Sequence, residues 1–478
     1  MQGIWTTERI REAEGRLFAV TPEGEPMRRA SFGLSVQIAD VLAEHTGTVS
    51  GRRVVLLVGS GDNGGDALWA GAFLRRRGVA VTAVLLGSRA HEAGLAALRR
   101  AGGRVVSAED GPQWIARADV VVDGIVGISA SGSLRPDAAR LVDLVEAPIV
   151  AVDLPSGVDP DTGAVDGPAV RATRTVTFGA LKPVHALAPS WCGEVVLVDI
   201  GLELTDPDLQ RLDVVDVAAA WPVPGPEDDK YSQGVVGVAA GSATYPGAAV
   251  LTAGAAVRAT AGMVRYAGHA ADVVRAQWPE VIATGTVADA GRVQAWAVGP
   301  GIGTGSEGRD VVRYVLGQGL PVCADADATT IIAKSPEVLD ARDPDTPLVL
   351  TPHAGEYERL MGRKPGPDRV TAAREAAKKY NAVVLLKGHV TVVAAPDGRA
   401  AANTPRGAWL ATPGSGDVLS GLLGSLLAAG LDPWLAAAMA AHVHSLAGAI
   451  AAQNAPTSSS ALVHAIPEAL RSIRSLTS

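Results

Sequence analysis

Short runs of β-branched and aliphatic residues alternate along the chain with longer Ala-, Leu- and Arg-rich stretches of helical period. Apolar runs bounded by turn residues are the mark of strands buried on both faces, with the intervening helices as their cover. They predict strands at 54–58, 79–86, 120–122, 149–152, 175–178 and 195–198, spaced as βα units around a mostly parallel sheet. Pro222, Pro224, Gly225 and Pro226 then break the rhythm, followed by the acidic run "EDD". Breakers and charge together place a domain junction here, dividing the chain into 1–220 and 221–478. Beyond Gly234 the alternation resumes, with strands expected at 235–240, 281–285, 295–298, 322–325, 348–350, 383–386 and 391–394. The stretch 435–452 is strongly apolar, but His442, His444 and Ser445 interrupt it. It is expected to be a buried Ala-rich helix rather than a membrane span.

Composition narrows the function classes. At 478 residues the chain exceeds the size at which one core keeps growing, so two or three domains are expected. The net charge is −8, with the acid excess concentrated before residue 220, and no basic stripe runs along either half. Nucleic acid is therefore not an expected partner. Cys192 and Cys323 lie far apart and form neither a metal-ligand cluster nor a disulfide framework, which suits a reducing cytoplasm. The first twenty residues alternate charges and lack the apolar core of a signal peptide. The expectation is a cytoplasmic homo-oligomer that acts on small molecules and not at a membrane.

Three turns stand at predicted strand ends in the first half. In "GSGDNGGD", Gly59, Gly61 and Gly64 satisfy G-x-G-x-x-G, a turn that lets backbone N–H groups approach a pyrophosphate in front of a helix dipole. Yet the same turn carries Asp62, Asn63 and Asp66, and carboxylates repel phosphate. The acid that ordinarily holds a ribose hydroxyl about 20 residues further on is also missing, since the next strand ends "VLLGSRAHE". "VVDGIVGISASGS" and "AVDLPSGVDPDTG" bring Asp123, Asp153 and Ser156 to further strand ends. Singly, Asp123 and Asp153 would be helix caps or turn residues. Three such turns on one domain favour a common pocket with Asn63 and Asp66, because open α/β sheets bind ligands at the carboxyl ends of strands.

In order and spacing these turns resemble the NAD(P)H-hydrate epimerases, over about residues 1–215. The resemblance implies an α/β fold, here a three-layer α/β/α Rossmann-like domain, that binds NADHX or NADPHX, dinucleotides whose nicotinamide ring has gained water. It implies ligand contacts at Asp62, Asn63, Gly64, Gly65 and Asp66, at Gly127, Ile128, Ser129, Ala130, Ser131, Gly132 and Ser133, and at Asp153. It also implies a catalytic Asp123 and a potassium ion near Asn63, Asp123 and Ser156, and oxygen ligands suit such a hard cation. This chain departs from the family turn at Asp62 and Ala67, where Asn and Gly are more usual. Asp62 therefore adds negative charge beside the implied ion.

The second half has its own constellation. "TPGSGDVLSG" puts Gly414, Ser415 and Gly416 before Asp417 at the start of an apolar helix. Such N–H groups and helix dipole make an anion hole for a phosphate, and the acid can take a proton from a hydroxyl; the bland reading is an ordinary capped helix. "LLKGHVTV" offers Lys387, Gly388, His389, Val390 and Thr391 to a nucleotide, or else is a plain hairpin. With "GSATYPGAAV", "AVGPGIGTG", "CADADATT" and "LTPHAGEYERLMG", these stretches resemble the ADP-dependent NAD(P)H-hydrate dehydratases of the ribokinase-like superfamily, over about residues 230–450. The resemblance implies a second three-layer α/β/α domain, in which Ala248, Gly303, His353 and Asp417 contact the hydrated nucleotide while Lys387 to Thr391 and Gly416 hold ADP. Asp417 would be catalytic, and Glu356 would orient magnesium or water; a structural salt bridge is the plainer role for Glu356.

Together the halves make chemical sense, since a stereospecific dehydratase restores one epimer and an epimerase feeds it the other. The rivals are a kinase that keeps its phosphorylated product, a first domain that only binds nucleotide, and an NADP dehydrogenase. The last is disfavoured by the missing acid and by Asp62 and Asp66.

Overall fold

The computed structural model describes residues 1–128, 132–259 and 262–475. It divides into two compact units, Gly3–Leu209 and Gln210–Ser478 with Met1–Gln2. The second unit thus begins before residue 220, because Leu212, Val217 and Trp221 are buried in its core and helix Val214–Ala220 goes with them.

Among the described residues, the sheet of the first unit has the order Arg104–Ser107, Ala80–Leu85, Arg53–Val58, Val120–Gly124, Ile149–Val152, Arg174–Phe178, Glu194–Val198. Every neighbouring pair is parallel. Successive side chains along a strand face opposite ways, so Val54, Leu56 and Val58 enter one core with Leu34, Ile38 and Leu68. Val55 and Leu57 enter the other with Leu134 and Leu141. Helices on both faces complete three layers. Chain order reverses between Arg53–Val58 and Val120–Gly124, and the crevice at such a switch point is where Rossmann-like sheets take their ligands.

In the second unit nine strands of the sheet run in the order Ala400–Asn403, Thr391–Ala394, Val383–Leu386, Leu348–Leu350, Val322–Ala324, Ala295–Val298, Val235–Ala239, Met263–Ala267, Ile282–Thr284. Pairing is antiparallel at Val383–Leu386 with Thr391–Ala394 and at Thr391–Ala394 with Ala400–Asn403; the other pairs are parallel. Val236, Val238 and Ala240 pack with Ala253, Leu422 and Leu426 from helices Pro246–Arg258 and Ser415–Ala428. Helix Pro433–Ala452 has the length and hydropathy of a membrane span, but most of it is buried inside the unit.

Two of these nine strands escape the hydrophobic pattern. Ala400–Asn403 is three alanines and an asparagine, residue types depleted in strands; pairing with Thr391–Ala394 makes it a strand. Met263–Ala267 interleaves Arg265 with apolar residues, and Arg265 donates to the Ala290 carbonyl at 2.8 Å. In the first unit, Arg104–Ser107 is likewise too short and polar to stand out.

Candidate active sites

At the switch point of the first unit, glycines let the backbone close tightly. A Cβ on Gly59 would lie 1.8 Å from the Ile125 carbonyl oxygen, and one on Gly64 would lie 2.3 Å from the Gly59 oxygen. Helix Asp62–Arg76 starts immediately after this turn. Its first turn opens on a cavity of about 590 Å³ lined by Asp62, Asn63, Asp66, Gly127, Ile128 and Asp153, with Glu14 and His91 also in its wall. That volume suits a small-molecule site.

The carboxylates around this cavity differ in their surroundings. Asp66 is buried and accepts from Ser31 Oγ at 2.8 Å. Burial, only partly offset by the Ser31 bond and reinforced by Asp153, Asp62 and Glu14, raises its carboxyl well above the usual range. Asp153 has φ 67°, a left-handed conformation uncommon outside glycine. Lys182 Nζ donates to Asp153 Oδ1 at 2.6 Å and Thr177 Oγ1 donates to the same oxygen at 2.9 Å. His185 Nε2 donates to the Asp153 carbonyl at 2.8 Å while its Nδ1 accepts from Lys182 N at 3.0 Å, which assigns the tautomer.

Asp123 and Ser156 do not line the cavity; both are fully buried. Ser156 donates from N and Oγ to the two Asp123 oxygens at 2.8 and 2.7 Å, and Ile125 N donates at 3.2 Å. Burial lifts the Asp123 carboxyl to about 6 against these three bonds. The network continues to the cavity wall: Val126 N donates to Ser156 Oγ at 3.1 Å, and Asn63 Nδ2 donates to the Val126 and Val152 carbonyls at 3.0 and 2.6 Å. Of the remaining expected contacts, Gly64 and Gly65 are buried in the helix start. Gly132 and Ser133 are described but are not in the cavity wall, and Ser129, Ala130 and Ser131 lie outside the described residues.

In the second unit, left-handed Gly299, Gly301 and Gly303 follow strand Ala295–Val298. A Cβ on Gly301 would stand 3.1 Å from that of Ala248, so Ala248 and this turn are neighbours; Gly303 N donates to Asp327 Oδ2 at 2.8 Å. Left-handed Gly414 starts helix Ser415–Ala428, with Asp417 in the first turn. Gly416 is within 3.6 Å, at its Cβ position, of Asp325 Oδ2 and Lys387 Nζ. Lys387 Nζ lies 2.6 Å from Asp325 Oδ1 and 3.8 Å from Glu356 Oε2, and Ser420 Oγ donates to Asp325 Oδ2 at 2.7 Å.

Charge in this cluster is unevenly shared. Burial opposes the Asp325 charge, but Lys387 and Ser420 outweigh it and hold the carboxyl below the usual range. Asp417 has no such partner among the described residues: burial and the Asp325 charge push it to about 7, with Lys387 acting in the other direction. His353 caps helix Ala354–Met361 through Nδ1, and Glu356 accepts from His353 N at 2.8 Å. Buried His444, its imidazole pushed down to about 4 by burial, donates from Nε2 to the Ser415 carbonyl at 2.8 Å and so steadies the glycine-rich turn. Gly388 and His389 are exposed at the tip of the hairpin, Val390 is buried, and Thr391 starts the return strand.

Comparison with known proteins shows the family of the chain. The NAD(P)H-hydrate dehydratase family profile matches residues 236–470, and that of the YjeF-related protein N-terminus matches 27–184. A bifunctional NAD(P)H-hydrate repair enzyme of Mycobacterium tuberculosis is 57% identical over 442 residues, 92% of each chain. That of Mycobacterium leprae is 54% identical over 482 residues, covering 99% of this chain and all of its own. The chain belongs to the bifunctional NAD(P)H-hydrate repair enzymes. Among solved structures, the ADP/ATP-dependent NAD(P)H-hydrate dehydratase of Bacillus subtilis, co-crystallised with ATP and magnesium, is 27% identical with a TM-score of 0.50, over 55% of this chain and 99% of its own.

Several residues of this repair enzyme's sites carry no signal in the sequence. Ser31 and Lys182 reach the first cavity's carboxylates, and His185 the Asp153 carbonyl, from elements outside the three turns. Asp325 and Ser420 lie inside the quoted stretches "CADADATT" and "TPGSGDVLSG", but their pairing with Lys387 and with each other is a matter of tertiary contact.

Proposed function

We propose that the enzyme divides the repair between its units: the first interconverts the R and S forms of NADHX and NADPHX, and the second dehydrates the S form at the expense of ADP. The observation that carries the dehydratase reading is Asp417, raised to about 7 at a helix start whose turn is Gly414, Ser415 and Gly416. A carboxyl tuned near neutrality is suited to accept a proton at working pH. Asp417 takes the proton of the added ring hydroxyl as its oxygen attacks the terminal phosphorus of ADP, and AMP leaves. Phosphate, a far better leaving group than hydroxide, then departs with a ring proton and the double bond returns. The N–H groups of the glycine-rich turn receive the phosphate charge. Ala248, Gly303 and His353 position the hydrated ring, and the Lys387 to Thr391 hairpin with Gly416 holds the nucleotide.

Glu356 would be the carboxylate that holds a magnesium ion brought with the nucleotide, and such an ion would supply positive charge to the transferred group. In the first unit, Asn63 fits a potassium ion. Its amide donors are spent on two carbonyls, leaving Oδ1 as an acceptor whose approach a Cβ at Gly127 would block at 2.8 Å. With buried Asp123 and Ser156 behind it, the ion would supply a fixed positive charge beside the acidic cavity. The burial of Asp123 behind this wall suits holding the ion better than touching the ring, the role expected for it from sequence.

The test is the ultraviolet absorbance of reduced nicotinamide recovered from mixed-epimer NADPHX with ADP and magnesium. The wild type recovers both epimers and Asp417→Asn recovers none. A phosphorylated product that accumulates without recovered absorbance would favour a kinase instead.

A further inference from the structure

Asp66 and Asp153 stand in the same cavity wall and are built alike. Each has one oxygen tied to the protein, Asp66 Oδ1 to Ser31 and Asp153 Oδ1 to Lys182 and Thr177. Among the described residues, the side-chain hydrogen bonds of both fall on Oδ1 and leave Oδ2 to the cavity side chains or a ligand. What differs is the tether: a neutral hydroxyl for Asp66, a buried ammonium for Asp153. The ammonium also reaches Thr177 Oγ1 at 3.0 Å, and the backbone of Asp153 is held left-handed with its carbonyl fixed by His185. Strained, over-determined residues of this kind cluster at functional sites.

We infer that Asp66 and Asp153 form the proton-transfer pair of the first unit, Asp153 as base and Asp66 as acid, with Ser31 and Lys182 as their positioning residues. The inference rests on the epimerase reading. Two carboxyls in one site with opposite surroundings is how proteins separate acid from base. The groups facing Asp66 agree: Asp153 from the end of strand Ile149–Val152, Asp62 from its own helix and Glu14 from helix Thr7–Val20 are all acidic and favour its neutral form. His91, which caps helix Glu92–Arg100, is the basic side chain in the cavity wall.

The step balances without a further reactant. Asp153 takes the proton of the added hydroxyl, and the oxygen's electron pair forms an aldehyde as the bond from that carbon to the ring nitrogen breaks. The nitrogen keeps the bonding pair and takes the Asp66 proton. Rotation presents the other aldehyde face; reversal returns both protons and closes the ring with inverted configuration.

The experiment follows R-to-S exchange of NADPHX by chromatography, on the full-length enzyme without ADP. Asp66→Asn and Asp153→Asn each lower kcat at least ~100-fold, the scale of general acid–base catalysis, with KM changed little. Exchange within about tenfold of wild type in either variant, at an unchanged melting temperature, overturns the pair. Ser31→Ala gives an independent readout. Loss of its bond raises the Asp66 carboxyl further, so the alkaline limb of the pH–rate profile moves to higher pH; an unmoved limb overturns the acid assignment even where the Asn variants fold poorly. A wild type that exchanges no faster than buffer sinks the epimerase reading itself, and the pair with it, while absorbance recovery from the S form with ADP remains to report the second unit.

Discussion

Lys387 Nζ lies 2.6 Å from Asp325 Oδ1, and this ion pair closes the floor of the dehydratase site beside Gly416. Asp325 is 2% exposed, so its charge depends on Lys387 and Ser420. Lys387→Met strands it and is expected to cost about 3–5 kcal/mol, read as a lower urea midpoint. Adding Asp325→Leu should recover most of that loss. A single-variant cost under about 1 kcal/mol would mean the pair is not holding the floor.

The proposed role of Asp417 as proton acceptor requires its ionised form, so dehydration should rise with pH through about 7. Asp325→Asn removes a charge that raises Asp417, so the rising limb moves to lower pH. The same shift has a stability consequence. A carboxyl raised in the folded state binds protons that the unfolded chain has released, so its ionisation costs stability as pH climbs from its unfolded value to about 7. Asp417→Asn should therefore raise the melting temperature most above pH 7 and hardly at all near pH 4.

The potassium site proposed at Asn63 predicts that Gly127→Ala abolishes stimulation of epimer exchange by this ion, because the added Cβ would meet Asn63 Oδ1 at 2.8 Å. Absorbance recovery from the S form should be unaffected. Potassium titrations of both reactions check this, and equal loss in the two would point to misfolding instead.

Ser156→Ala removes a donor to Asp123 Oδ1 and the acceptor of the Val126 N–H. Leaving such groups unpaired costs about 1–3 kcal/mol. The Asp123 carboxyl, about 6 in the native protein, rises further, so potassium dependence should weaken below neutral pH and return as pH is raised. Potassium affinity measured at two pH values distinguishes this from simple loss of fold.

Much of the architecture is legible in the chain. Arg53–Val58, Val120–Gly124 and Ile149–Val152 are nearly continuous aliphatic runs, as strands covered on both faces must be. Ala400–Asn403 is not legible, because an alanine strand exists only through its neighbour. The boundary between units is blurred for a similar reason: Leu212 and Val217 read as part of the first half until the core they enter is known.

The chemistry divides along the same line. Gly59, Gly64 and Gly414 are demanded by close approach or left-handed backbone, constraints local enough for the sequence to declare, and they bring Asn63, Asp66 and Asp417 to helix starts by themselves. What surrounds each carboxyl was decided elsewhere. Ser31 meets Asp66 across 35 residues, Lys182 meets Asp153 across 29, and Lys387 meets Asp325 across 62. A carboxyl's proton affinity is set by burial and neighbouring charge, and both are properties of packing. The sequence by itself determined the two α/β units and their glycine-rich turns; the tertiary structure alone gave each acid its partner and its degree of burial.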